Sequence, residues 1–169
     1  PGGQQPIKAQ SVMLQQRRGQ RLVNLAGAAR ERFRANPVED FDRVLRINLR
    51  GAWLCTKHAA PSMIARGGGA IVNMSSLGGL VAAGGTAAYG MSKAGVIHLS
   101  RITAAELRSA NVRSNALLPA FVDTPMQQTA MTMFDEALGE GGADTMIGRL
   151  QGRMAGPEEM AGVVAFLLS

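Results

Sequence analysis

Cysteine, histidine and aromatic side chains are scarce in this chain. Its 169 residues include one cysteine and two histidines, and aromatics make up 4%. A lone cysteine, Cys55, excludes an internal disulfide and suits a reducing, cytoplasmic compartment. It lies on an apolar helix stripe, where a packed thiol is the simple reading. His58 and His98 have no acidic residue at useful spacing. Both read as ordinary helix residues, and no metal site is expected. No run of eighteen apolar residues occurs, so no membrane-spanning helix is expected. No secretory leader is visible at the start. The chain begins at Pro1 and stops at Ser169 while an apolar helical pattern is still running, so both ends read as cuts.

The net charge is +6 and unevenly spread: residues 1–66 hold 12 Lys/Arg against 4 Asp/Glu, whereas residues 67–169 hold 6 against 8. A basic half can attract anions. Without a nucleic-acid motif or interleaved aromatics, it reads as arginine decorating solvated faces, and no nucleic-acid partner is expected. Hydrophobic residues at 46% and charged residues at 18% describe a globular chain with a sizeable core.

Residues 1–20 are Gln/Arg/Gly-rich, with a weak helical hint around Ile7–Gln16. Arg21–Ala26 is a short apolar run consistent with a buried strand. Asn36-Pro37 is a helix start, a capping side chain followed by proline. That helix is expected to reach Arg66 and stop at Gly67-Gly68-Gly69. Phe41, Leu45, Ala52 and Cys55 lie on its apolar stripe, with Asn48 inside it and Pro61 near its end. Ala70–Met74 reads as another buried strand, and Val112–Leu118 as a third strand closed by Pro119. Between them come a glycine-rich loop, Ser75–Thr86, and a long helix, Ala87–Ser109. Residues 124–156 read as an irregular, methionine-rich segment, in which Met126, Met131, Met133 and Met146 either line a substrate lid or pack the loop. A last helix begins at Gly156-Pro157-Glu158-Glu159. Short apolar strands alternating with long helices imply an α/β fold, a parallel sheet covered by helices. Sites in such sheets gather at the carboxyl ends of the strands.

One such end carries the most specific pattern. Ser76 precedes Tyr89 by thirteen residues, and Lys93 follows Tyr89 by four. Tyrosine and lysine at i and i+4 share a helix face. An ammonium at roughly 4 Å, in an effective dielectric of ~20, stabilises a phenolate by about 4 kcal/mol. A nearby positive charge favours the ionised form of a phenol. Such a tyrosine is a competent general acid/base, and the serine hydroxyl can hold a substrate oxygen.

These motifs, taken in order, resemble the short-chain dehydrogenase/reductase family in its common single-domain branch. The resemblance covers Arg21 to Ser169. It rests on Val-Asn24-Leu-Ala26-Gly27, on Ile-Asn48-Leu-Arg-Gly51, on Ile-Val-Asn73-Met-Ser75-Ser76 and on Tyr89-Gly-Met-Ser-Lys93. It extends through Arg113-Ser-Asn115-Ala-Leu-Leu-Pro119, Asp123-Thr124-Pro125 and the segment Gly152 to Ala161. The resemblance implies a partial doubly wound, Rossmann-like parallel sheet flanked by helices, with about three of seven strands present. Residues 1–20 match poorly, residues 21–169 would be the catalytic part of one domain, and residues 124–156 its lid. It implies NAD or NADP as cofactor and hydride transfer between a secondary alcohol and a ketone, as in 3-oxoacyl reductases or alcohol, steroid and sugar dehydrogenases. Tyr89 would be the general acid/base, Lys93 its charge partner and ribose ligand, Ser76 the holder of the substrate oxygen, and Asn48 the support of a proton-relay water. Asn24, Ala26 and Gly27 would line the cofactor's path, and Pro119, Val122 and Thr124 its nicotinamide end. Ser75 and Asn73 read as structural, Ser75 capping the loop and Asn73 bonding within the sheet. A homotetramer or homodimer through helices 37–66 and 87–109 is implied.

The chain departs from the family at its start, where Gly2-Gly3 does not match the glycine-rich pyrophosphate turn. Leu25 stands for a second asparagine, and Ala120 for a glycine. Two alternatives therefore stand beside the reductase reading: a truncated, inactive oligomerisation or binding fragment, and an epimerase or dehydratase built on the same Tyr and Lys. An unpaired apolar edge is expected along Arg21–Ala26.

Overall fold

The structure, a computed structural model, describes residues 10–16, 19–25 and 37–169. Ala26, Gly27 and Asn36 lie outside the described residues. The chain divides into two compact units, residues 1–118 with 167–169, and residues 119–166.

The first unit is built on a four-stranded sheet in the order β1 (Gln10–Gln16), β2 (Gly19–Leu25), β3 (Gly69–Met74), β4 (Val112–Leu117). Strands β2, β3 and β4 are parallel and occupy the three predicted positions to within two residues. β1 replaces the weak helical hint. It runs antiparallel to β2 from Gln10↔Leu25 to Gln16↔Gly19. This ladder pairs the β2 edge that the sequence reading left open, because a strand edge is a row of donors and acceptors that a neighbouring segment satisfies. β3 lies between β2 and β4, with Ile71, Val72 and Asn73 fully buried, as expected for a strand between two neighbours beneath helices.

Two long helical segments cross this sheet. The first comprises α1 (Val38–Leu45), a π-helical turn (Arg46–Arg50) and α2 (Gly51–Ala65). Pro37 immediately precedes it, and its carbonyl accepts from the amides of Asp40 and Phe41. The helix continues through Pro61 to Ala65. The second is α3 (Ala87–Leu107), closed by a 3-10 turn and by Asn111 at φ 57°. α2 packs on β2 and β3, and α3 on β3 and β4. Ala59 and Met63 of α2 meet Ile71 and Val112 of the sheet in one buried cluster, with Cys55, Leu107 and Ala110 against it. Val44 and Ala88 form a second cluster, with Phe41 and Ile47. The buried residues of the two helices follow the 3.6-residue period, and Ile102 of α3 is 42% exposed. Among the described residues no helix is long and apolar enough to cross a membrane.

The second unit corrects the expectation of an irregular segment. α4 (Pro125–Leu138) and α5 (Gly142–Leu150) occupy most of residues 124–156, followed by α6 (Pro157–Leu168). The start of α4 has a plain cause: Thr124 Oγ1 accepts from the Gln127 amide at 3.2 Å, and Pro125 opens the first turn. Gly139 and Gly141, at φ 91° and 71°, turn the chain between the helices in a conformation that favours glycine. α4 packs on α5, and Ala130, Ala143 and Ile147 are buried. Met131 and Met146 are half-buried and Met126 is exposed. Met146 lines an open groove of about 570 Å³ with Leu138, Thr145, Arg149 and Leu150. Glu159 ties the start of α6, accepting from the Gly156 amide and from both Arg153 Nη atoms.

Candidate active site

The site is assembled where β3 ends. Beyond Met74, the Ser75 amide donates to the Leu117 carbonyl at 2.7 Å, which carries the β3–β4 ladder one step further. The Ser75 hydroxyl leaves the sheet and donates to the Lys93 carbonyl at 2.8 Å. Ser75 thus ties the strand end to α3, rather than capping the loop locally. Ser76 is extended, and its Oγ accepts from the Gly78 amide at 3.1 Å. A short 3-10 turn, Leu77–Gly79, then lies against α3. Gly79 is required there: a Cβ would stand 2.8 Å from the Lys93 carbonyl carbon and 2.9 Å from the Ala94 nitrogen. Asn73, fully buried, also reaches off the sheet and donates to Ser100 Oγ at 2.9 Å.

Ser76 and Tyr89 meet across Gly78. A Cβ at residue 78 would stand 3.6 Å from Ser76 Oγ and 3.5 Å from Tyr89 Cε1, so hydroxyl and ring flank the same point at ordinary contact distance. Lys93 lies one turn further along α3, with Nζ 5.6 Å from the Tyr89 ring centroid, and it donates to the Met74 carbonyl at 3.1 Å. Asn48 sits within the π-turn, 2% exposed, and its Nδ2 donates to Ser92 Oγ at 2.9 Å. Ser92 Oγ in turn donates to the Tyr89 carbonyl at 2.7 Å. Asn48, Ser76, Tyr89 and Lys93 are therefore joined through one strand end, one helix turn and one widened helix turn.

Lys93 is 3% exposed, and burial pushes its ammonium down from 10.5 to about 8. Desolvation disfavours the charged form. In the native state the proton leaves near pH 8, whereas in the unfolded chain it leaves near 10.5. Between those values the unfolded state binds more protons, so this group makes stability rise with pH across that window. The expected gain is about 3 kcal/mol, read from denaturant midpoints of the cofactor-free intact protein at pH 8 and 10.5. A Lys93→Met variant should lack this rise, and identical pH profiles would contradict the assignment.

Asn24 is near the carboxyl end of β2, paired in parallel register with Asn73. Ala26 and Gly27 fall outside the described residues. Pro119, Val122 and Thr124 belong to the second unit, where Val122 bridges to Ala155 and Thr124 caps α4. His58 and His98 are exposed on their helices. The sequence reading missed Ser92 and the close approach at Gly79. A serine adjoining the lysine of Tyr89-Gly-Met-Ser-Lys93 was the only available signal for the first, and two consecutive glycines for the second.

The family model described as enoyl-(acyl carrier protein) reductase matches residues 10–169. The chain is 39% identical over 150 residues to the 3-oxoacyl-[acyl-carrier-protein] reductase of Thermotoga maritima, covering 88% of this chain and 58% of that protein. It is 40% identical over 151 residues to the (3R)-3-hydroxyacyl-CoA dehydrogenase of Rattus norvegicus, covering 88% and 55%. Among solved structures it resembles an NAD+-bound xylitol dehydrogenase, with TM-score 0.81 and 33% identity over 88% of this chain and 62% of that one. It also resembles levodione reductase, with TM-score 0.79 and 32% identity over 87% and 57%. The chain thus spans little more than half the length of these two curated relatives. A matched family model, these relatives and the three-strand parallel sheet agree: the chain belongs to the short-chain dehydrogenase/reductase family.

Proposed function

We propose that the protein is a nicotinamide-dependent oxidoreductase that interconverts a secondary alcohol and a ketone, with Tyr89 as general acid/base. The observation that carries this reading is the convergence at Gly78, where a serine hydroxyl oxygen and a tyrosine ring each come within ordinary contact distance of one point. Ser76 Oγ already accepts from the Gly78 amide, so its own proton is left to donate to a carbonyl oxygen. Tyr89 then delivers a proton to that oxygen in the reductive direction and recovers one in the oxidative direction. Lys93 keeps a buried positive charge beside the phenol, held in place by the Met74 carbonyl. Asn48 braces the helix turn that carries Tyr89, through Ser92.

NAD or NADP, when bound, supplies or accepts the hydride. The donor set suits such a cofactor. Thr124 Oγ1 accepts a cap bond and retains its proton to donate, at the N-terminus of a 14-residue helix that favours anionic groups. The residues proposed to hold it are Asn24, Ala26, Gly27, Tyr89 and Lys93 in the first unit, and, taken by themselves, Pro119, Val122 and Thr124 in the second. The names of two relatives, a 3-oxoacyl reductase and a 3-hydroxyacyl dehydrogenase, favour a 3-oxoacyl group as the first substrate class to try. The test is consumption of reduced nicotinamide by the intact protein against a panel of 3-oxoacyl compounds, cyclic ketones and ketoses. Turnover of at least one is expected, and none across the panel would overturn the reading.

A cytoplasmic location is part of this proposal and rests on the single cysteine. So is a homodimer or homotetramer through helices 37–66 and 87–109, supported by Trp53 at 45%, Met91 at 47% and Ile102 at 42% exposure on those helices. Light scattering of the intact protein should return a dimeric or tetrameric mass; a monomer would contradict it.

A further inference from the structure

Ser92 is fully buried between Asn48 and Tyr89, and its two hydrogen bonds have a fixed direction. A serine hydroxyl owns one proton and accepts with its lone pairs. The Tyr89 carbonyl can only accept, so the Ser92 proton at 2.7 Å is committed to it. What Ser92 presents to Asn48 is therefore a lone pair, which requires an N–H. The Asn48 amide must turn Nδ2 toward Ser92 and Oδ1 away, and Oδ1 is buried with no hydrogen-bond partner among the described residues. The reverse orientation would set two acceptors against each other.

This contact also joins two elements that have little slack between them. Asn48 lies in the π-turn, where the helix register widens, and such turns recur at functional sites. Next to it, Gly95 of α3 passes so close to Leu49 that a Cβ would stand 2.8 Å from Leu49 Cδ2. The crossing is tight, and Ser92 is the polar link at its centre.

We propose that Ser92 is a positioning residue for the reductase site, a role that rests on the function proposed above. Its hydroxyl decides which end of the Asn48 amide acts as acceptor, and pins the π-turn to the carbonyl of the acid/base residue. The test is Ser92→Ala in the intact protein, alone and with Asn48→Ala. Ser92→Ala should lower kcat about tenfold, the effect of about one buried hydrogen bond, and leave KM nearly unchanged. In the Asn48→Ala background it should cost nothing further, because residues that act through one another are not additive. The side-chain amide NMR signal of Asn48 should move in Ser92→Ala. Wild-type kcat in Ser92→Ala, an equal fall in both backgrounds, or an unmoved Asn48 signal would each overturn the positioning role while leaving the reductase reading intact. Absence of nicotinamide turnover in the wild type would instead overturn the reading, and this role with it.

Discussion

Replacing Tyr89 by phenylalanine is expected to lower kcat by about 10²–10⁴-fold, the range of a single positioned acid/base group. The substitution removes one oxygen and keeps the ring that borders Gly78. Tyr89 is the chain's only tyrosine, so no second phenol in it can take over the proton. The side chain is only partly buried, and the folded state should change by no more than about 0.5–1 kcal/mol. The variant should therefore melt close to wild type and bind reduced nicotinamide, yet turn over ketone slowly. Steady-state kinetics beside a thermal melt checks both. A variant that keeps wild-type kcat would remove Tyr89 from the chemistry, and one that fails to fold would place its importance in packing.

Lys93→Met is expected to do two things at once: stabilise the fold and abolish most of the activity. The ammonium is 3% exposed, and its fall from 10.5 to about 8 corresponds to about 3 kcal/mol against the charged form at neutral pH. Methionine has similar volume and no charge to desolvate. Against this gain stands the loss of the bond to the Met74 carbonyl, about 1.5–3 kcal/mol for a charged donor. The net should be a modest rise in melting temperature, on the order of 2–4 °C per kcal/mol for a domain of this size. Turnover should fall about a hundredfold or more, because the positive charge beside the phenol is gone. A more stable, inactive variant is the signature of a buried charge kept for function. A less stable variant with unchanged turnover would reverse that conclusion.

How far the sequence reveals this arrangement can be followed residue by residue. β3 was legible because Ala70–Met74 is a short, mostly apolar run preceded by glycines, and β4 because Val112–Leu117 is a short segment between Asn111 and the closing Pro119. The Tyr89 and Lys93 pairing was legible because a four-residue spacing on a helix is local. β1 was not, because Val12-Met13-Leu14 amid glutamines fits neither a period of two nor of 3.6, and its strand state depends on the partner β2. The π-turn was not, because Arg46-Ile-Asn-Leu-Arg50 keeps a helical periodicity whether its bonds run to the fourth or the fifth residue. α4 and α5 were hidden by the glycines at 139, 141 and 142, although Thr124-Pro125 was a readable helix start. Ser92 was invisible for a different reason: its partner Asn48 is 44 residues away, and only the fold brings the two together.

The central claim is that Tyr89 protonates an oxygen while a hydride from nicotinamide reaches the adjacent carbon. The most direct measurement is the product formed by the intact protein from a turned-over ketone and reduced nicotinamide carrying deuterium at the transferable position. One deuterium is expected on the carbinol carbon in the wild-type product, with its formation slowed by at least about a hundredfold in Tyr89→Phe. An unlabelled product, as an epimerase or dehydratase would give, or label transfer at the wild-type rate in Tyr89→Phe, would contradict it.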